Sequence, residues 1–117
     1  QYRLCDIMEF DWPEARFDVV VGIFFQFLSP RERAAVFEGI KQAAKPGGLI
    51  LIEGYGPRQL EYGTGGPKKL ENLYTEALMQ QAFGEMSECH VRSYDAEVNE
   101  GAGHAGMSAL VDLVARK

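Results

Sequence analysis

Of the two histidines in this sequence, His104 is a candidate for moving a proton. It follows the turn Glu100-Gly101-Ala102-Gly103, and an imidazole held beside a reacting group acts as a base or orients a nucleophile. A histidine on a turn is also commonly a solvated one. Glu53 and Tyr55 close the apolar run Leu49-Ile50-Leu51-Ile52 and can face a substrate from its end. Glu53 reads equally well as a solvated strand end. Tyr55 and Tyr62 bracket a loop and can cover a site as a lid or simply pack that loop down. Gln26, after the run Phe17 to Phe25, can hydrogen-bond a bound molecule through its amide. His90 lies in an alternating segment and carries no assigned role.

Other chemistries fail on spacing. Gly63-Thr64-Gly65-Gly66-Pro67-Lys68 has the composition of a phosphate loop but not the Walker spacing, and it does not sit directly between a strand and a capped helix. Gly106-Met107-Ser108-Ala109-Leu110 lacks the second glycine of a nucleophile elbow. No His, Cys and carboxylate set has metal-ligand spacing, so no metal is expected. Cys5 and Cys89 lie far apart and read as reduced thiols of a cytoplasmic protein.

Four segments must position these residues. Phe17 to Phe25 is a continuous β-branched and aromatic run, the pattern of a parallel strand buried on both faces, with at least one of Phe24 and Phe25 in the core. Ser29-Pro30-Arg31-Glu32 carries a cap, a first-turn proline and the glutamate of a capping box. Behind it Val36, Phe37, Ile40, Ala43 and Ala44 share one helical face, and Pro46-Gly47-Gly48 stops the helix. The strand ending at Glu53 completes a right-handed βαβ unit. The stretch Gly54 to Pro67 is a long loop, of the kind that often carries function. A helix is expected from about Tyr74 to Phe83, with Gly84 at its C-cap. Strands follow over Cys89–Val98 and Met107–Ala115, joined by a turn too short for a helical crossover and so antiparallel. Gly22 and Ile23 stand at the carboxyl end of the first strand, where open α/β sheets bind their ligands.

The 117 residues suffice for one small domain. A net charge of −5 opposes non-specific binding to nucleic acid or anionic membrane, and the one basic run is Lys68-Lys69. No apolar run approaches the ~18 residues of a membrane span, and no signal-peptide layout is present. The chain does not begin with methionine, which points to a start inside a longer parent or to trimming.

Taken in order, the segments resemble the C-terminal half of class I S-adenosylmethionine-dependent methyltransferases. Phe17-Asp18-Val19-Val20-Val21 is similar to their fourth strand, Lys45-Pro46-Gly47-Gly48-Leu49 to the turn before the fifth, and Leu110 to Lys117 to the last. Tyr62-x-Thr64-Gly65-Gly66-Pro67-Lys68 and Glu100-Gly101-x-x-His104-x-Gly106 resemble segments of the tellurite-resistance-type, thiol-methyltransferase-like branch. The resemblance implies an α/β fold: half of a Rossmann-like methyltransferase sheet, strands 4-5-7-6 with the last antiparallel, and helices packed on it. It implies one domain over residues 1–117 without the family's N-terminal glycine-rich loop. It implies S-adenosylmethionine as cofactor, with Asp6 and Ile7 around the adenine, Gly22 and Ile23 flanking the cofactor, and Gln26 bonding cofactor or substrate. Glu53, Tyr55 and Tyr62 would then face a small-molecule acceptor, and His104 would be catalytic.

Two other readings stand beside it. With no strand beside Val19-Val20-Val21, the first strand is an exposed edge, and the chain is then a non-catalytic remnant that pairs as a homodimer through that edge. A nucleotide-binding half-domain of another family, such as a dehydrogenase, is disfavoured by the antiparallel terminal hairpin.

Overall fold

A computed structural model describes all residues, 1–117. The elements run β1 (Phe17–Ile23), α1 (Pro30–Ala43), β2 (Ala44–Tyr55), α2 (Gln59–Tyr62), α3 (Glu76–Phe83), β3 (Glu88–Asn99) and β4 (Ala105–Arg116), with a 3-10 turn at Leu70–Asn72. The sheet order is β1-β2-β4-β3. β1 and β2 are parallel, whereas β4 runs antiparallel to both β2 and β3. This is the parallel pair with a reversed final strand that the segment order implies.

Local signals account for most boundaries. Ser29 Oγ accepts from the Glu32 amide at 3.3 Å and Glu32 Oε1 accepts from the Ser29 amide at 3.0 Å, so the capping box is formed. Such a cap contributes about 1 kcal/mol. The helix ends at Ala43 and β2 begins at once, carrying Pro46-Gly47-Gly48 as an irregular entry. The β1–β2 register accordingly jumps from Phe17↔Ala44 to Val19↔Leu49. Gly47, at φ +81°, makes this bend, and its amide donates to the Lys117 carbonyl while the Lys117 amide donates to the Gly48 carbonyl. The second long helix starts later than the sequence implies, at Glu76, because Thr75 caps it: its hydroxyl accepts from the Leu78 amide at 3.0 Å. Gly84 stands at its C-cap but in right-handed conformation.

The main core lies on one face of the sheet. Val36, Phe37 and Ile40 of α1 and Met79 and Phe83 of α3 meet Ile50, Ile52, Val111, Leu113 and Ala115 there. A smaller cluster of Tyr55, Leu73, Val98 and Leu110 forms at one end of the opposite face. The rest of that opposite face is bare. Val19, Val21 and Ile23 are 47%, 54% and 57% exposed, and Val114 is exposed beside them. The expectation that the first strand is buried on both faces is therefore corrected: α1 covers Val20, and no element covers the alternate residues.

Candidate active site

The carboxyl end of β1 departs sharply from the sheet. Phe24 donates its amide to the Glu53 carbonyl at 2.9 Å, the last rung of the pair, and then adopts φ +51°. A left-handed phenylalanine costs roughly 1–2 kcal/mol, and such strain tends to persist at functional sites. The flip sends the two neighbouring rings apart. Phe25 packs edge-on to Phe37 in the core, and Phe24 stands on the other side. A side chain at Gly22 would collide with the Phe25 ring, so the glycine lets that ring fold back under the strand.

Gln26 is buried and fully engaged. Its Oε1 accepts from the Tyr55 amide at 2.6 Å, and its Nε2 donates to the carbonyls of Tyr55 at 2.9 Å and Asn72 at 3.0 Å. A side-chain amide thus continues the ladder where β1 has ended. Gln26 reaches the cleft wall, but its polar atoms serve the backbone. Gln59 plays a similar part from α2. It donates to Thr64 Oγ1 and the Gly65 carbonyl and accepts from the Ala109 amide at 2.9 Å.

Three rings stack in the space these clamps define. The Phe24 and Tyr55 centroids are 4.7 Å apart at 19°, Phe24 and His104 5.4 Å at 18°, and Tyr55 and His104 5.8 Å at 5°. Tyr55 Oη lies 2.6 Å from His104 Nδ1. Burial, then the charges of Glu100 and Glu53, raise the Tyr55 phenol, so it keeps its proton. Either atom can donate in this pair; with Nδ1–H donating to the phenol oxygen, Nε2 carries the free lone pair, which is the tautomer of a base, and with the phenol donating, Nε2 carries the proton. The backbone of His104 is fixed on both sides. Its amide donates to Gly101 O at 3.1 Å and its carbonyl accepts from Glu100 N at 2.9 Å. Thr64 and Gly65 lie against this turn: Gly65 bridges His104 directly, and the Thr64 carbonyl accepts from the Ala105 amide at 3.3 Å. A Cβ on Gly66 would sit 2.5 Å from the Tyr55 ring, so only a glycine lets the loop rest on that ring. Beside the stack opens a cleft of about 610 Å³ lined by Phe24, Phe27, Tyr55, His104, Asn72, Gly66 and the lysines Lys68 and Lys69, among others.

The remaining sequence candidates lie elsewhere. Glu53 and Ile23 face the bare side of the sheet, in a groove of about 250 Å³ with Val21, Leu51, Asp112 and Val114. Glu53 stands opposite Asp112 in register, and the Tyr94 hydroxyl donates to Asp112 Oδ2 at 2.8 Å. Partial burial, then a hydrogen bond to Asp112 and its charge, push the Glu53 carboxyl up to about 7. Tyr62 is outside the cleft. Its hydroxyl donates to Asp95 Oδ2 at 2.7 Å, and with the Arg58–Asp95 ion pair at 2.9 Å it ties α2 to β3. Asp6 is exposed, and its Oδ1 accepts from the Met8 amide at 2.9 Å; Ile7 is half-buried against the main core. Neither lines the cleft.

Sequence reasoning did not assign Phe24, Asn72, Lys68 or Lys69 to the cleft, nor did it find the Asp112–Tyr94 pair. For Asp112 a signal existed: an acid interrupting the apolar strand Leu110-Val111-Asp112-Leu113-Val114.

The Glu53 carboxyl sets a pH dependence. Its folded value lies above its ordinary 4.5, so the folded protein binds more protons between about pH 4.5 and 7. The stabilisation is full below that window and lost as pH rises through 7. Glu53→Gln is expected to flatten this slope, removing on the order of 1 kcal/mol of variation after discounting for solvent screening. Urea unfolding at a series of pH values checks it.

No family model and no curated protein sequence matches the chain. Solved structures do. The chain is similar to a SAM-dependent methyltransferase from Methanosarcina mazei, at 15% identity and TM-score 0.71, covering 98% of this chain and 66% of that one. It is similar to TehB from Haemophilus influenzae, at 19% identity and TM-score 0.68, covering 98% and 40%. It is also similar to the N-methyltransferase NodS from Bradyrhizobium japonicum WM9 in complex with S-adenosyl-L-homocysteine, at 14% identity and TM-score 0.64, covering 97% and 52%. The fold is thus part of a Rossmann-like methyltransferase fold, and the chain spans 66% or less of the length of these three chains.

Proposed function

We propose that this chain is the C-terminal part of an S-adenosylmethionine-dependent methyltransferase and that the cleft beside His104 takes a small-molecule acceptor. The observation that carries the reading is the His104–Tyr55 pair at 2.6 Å, set at the carboxyl end of β2, beside that of the parallel strand β1. The glycine-rich and histidine-bearing segments that resemble the tellurite-resistance-type, thiol-methyltransferase-like branch flank this cleft, which favours a relative of that branch. Two unpaired cysteines suit a cytoplasmic protein, and no helix is long and apolar enough to cross a membrane.

The residues present fit the cofactor on its adenine side. Asp6 Oδ2 makes no hydrogen bond, and Ile7 is a partly exposed apolar neighbour able to lie against a ring. Bare backbone at Gly22 and Ile23 would flank the cofactor. When bound, the cofactor supplies an electrophilic methyl group on a sulfonium whose leaving group is neutral. Positioning then contributes most of the rate. The Phe24–Tyr55–His104 stack offers a flat wall for the acceptor, Tyr55 fixes the imidazole, and Nε2 takes the proton from the acceptor's nucleophile.

Calorimetric titration of the 117-residue chain with S-adenosylmethionine, S-adenosylhomocysteine and NAD tests the reading. Heat from the first two and none from NAD is expected. Absence of binding by both sulfur compounds counts against it.

One observation favours a second reading, self-association without catalysis. Val19, Val21 and Ile23 form an exposed apolar strip on the edge strand β1. Light scattering showing a clean monomer across concentrations would remove that reading.

A further inference from the structure

We infer that the molecule taken by the His104 cleft is a small planar organic anion. The inference deepens the proposed function, on which it rests for the word acceptor but not for binding. The chain carries 17 carboxylates against 12 lysines and arginines, yet no Asp or Glu lines this cleft. Its charged lining is Lys68 and Lys69. Both are exposed, and neither takes part in any of the six ion pairs or in a side-chain hydrogen bond. Two cations without an ion-pair partner draw anions to the cleft, against the charges of Glu100 and Glu53 that reach Tyr55 from outside its lining. Their backbone follows Gly65, which bridges His104, and Gly66, which rests on the Tyr55 ring, so the cations are carried close to an anchored segment.

The aromatic part of the lining selects shape. Phe24, Tyr55 and His104 lie within 5° to 19° of parallel and within 5.8 Å of one another, presenting ring surface to a flat ligand. Phe27 is 68% exposed at the same cleft, an apolar ring with no cover of its own. Asn72 also lines the cleft, its Oδ1 buried and without a partner in the chain. A carboxylate at the lysines and an aromatic ring on the stack satisfy both features at once. An inorganic oxyanion uses only the first, and a neutral aromatic only the second.

The test is a two-dimensional NMR titration of the whole chain with benzoate, its neutral isostere benzamide, and inorganic phosphate. Benzoate is expected to move the amides of Gly66, Gly103 and His104 and to bind about tenfold more tightly than benzamide. Phosphate is expected to bind more weakly than benzoate. Lys68→Ala/Lys69→Ala removes the preference for benzoate over benzamide while leaving benzamide binding unchanged, and Lys68→Arg/Lys69→Arg keeps it. Equal binding of benzoate and benzamide, phosphate outcompeting benzoate, or shifts scattered away from the cleft would each overturn the inference. Benzoate binding without any binding of S-adenosylmethionine keeps this inference and removes methyl transfer. The reverse removes this inference alone.

Discussion

On the proposed function, His104→Ala is expected to lower methyl transfer by about 10²- to 10⁴-fold, the range for loss of a positioned general base. The assay is S-adenosylhomocysteine release with para-hydroxybenzoate as acceptor, whose phenol must lose a proton to react. A structural role alone could also lower the rate, so the pH profile decides. A base imposes an acid-side fall in rate, because its protonated form cannot accept the nucleophile's proton. That fall should vanish in the variant. Tyr55→Phe keeps the stacked ring, which is 4.7 Å from Phe24, and deletes only the oxygen 2.6 Å from Nδ1. It should cost about tenfold, since the imidazole remains in place but is free to rotate. An unchanged pH profile in His104→Ala would remove the proton-transfer role.

Gln26→Ala is expected to cost about 2–4 kcal/mol of stability, through a cavity and stranded backbone groups. The Tyr55 amide loses the Oε1 it meets at 2.6 Å, and the Asn72 carbonyl loses a donor at 3.0 Å. The Tyr55 carbonyl is better protected, because the Tyr74 amide also donates to it, at 2.9 Å. For a domain of this size the loss corresponds to a fall in Tm on the order of 10 °C. Gln26→Glu separates the contributions. It restores an acceptor for the Tyr55 amide but sets a carboxylate against two carbonyls, so it should not recover the wild-type Tm. Thermal unfolding of both variants, followed by circular dichroism, checks this. A Tm within a degree or two of wild type for Gln26→Ala would mean that the amide bonds to water as well as to the chain.

These expectations mark where the sequence was readable. Ser29 and Glu32 act through bonds of three-residue span, so the helix start could be read from four letters. The reversed last strand followed from a turn too short for a crossover. Gln26 was legible only as a polar group near a strand end. Whether its amide meets a ligand or the Tyr55 backbone depends on how Asn72 and Tyr55 return to it in space, which no local pattern encodes. Glu53 and Asp112 become neighbours through the β2–β4 register alone. Phe24 reads as one more strand residue; its left-handed turn exists because the strand stops there and its ring leaves the core for the stack. The bare face was misread for the opposite reason. Alternate apolar residues look alike whether a helix covers them or not.

The sheet order has a consequence for how the molecule is made. β2 leaves the ribosome before β3 and β4, but its neighbour on one side is β4, the last strand of this stretch. β3 has no partner except β4. Until Ala105 to Arg116 emerge, the two halves of the nascent sheet share no rung, and β2 waits with one row of amides and carbonyls unspent. Those twelve residues therefore act as the closing seam of the nascent polypeptide, and a ribosome that stalls just before them would leave two separate open edges for a chaperone to shield.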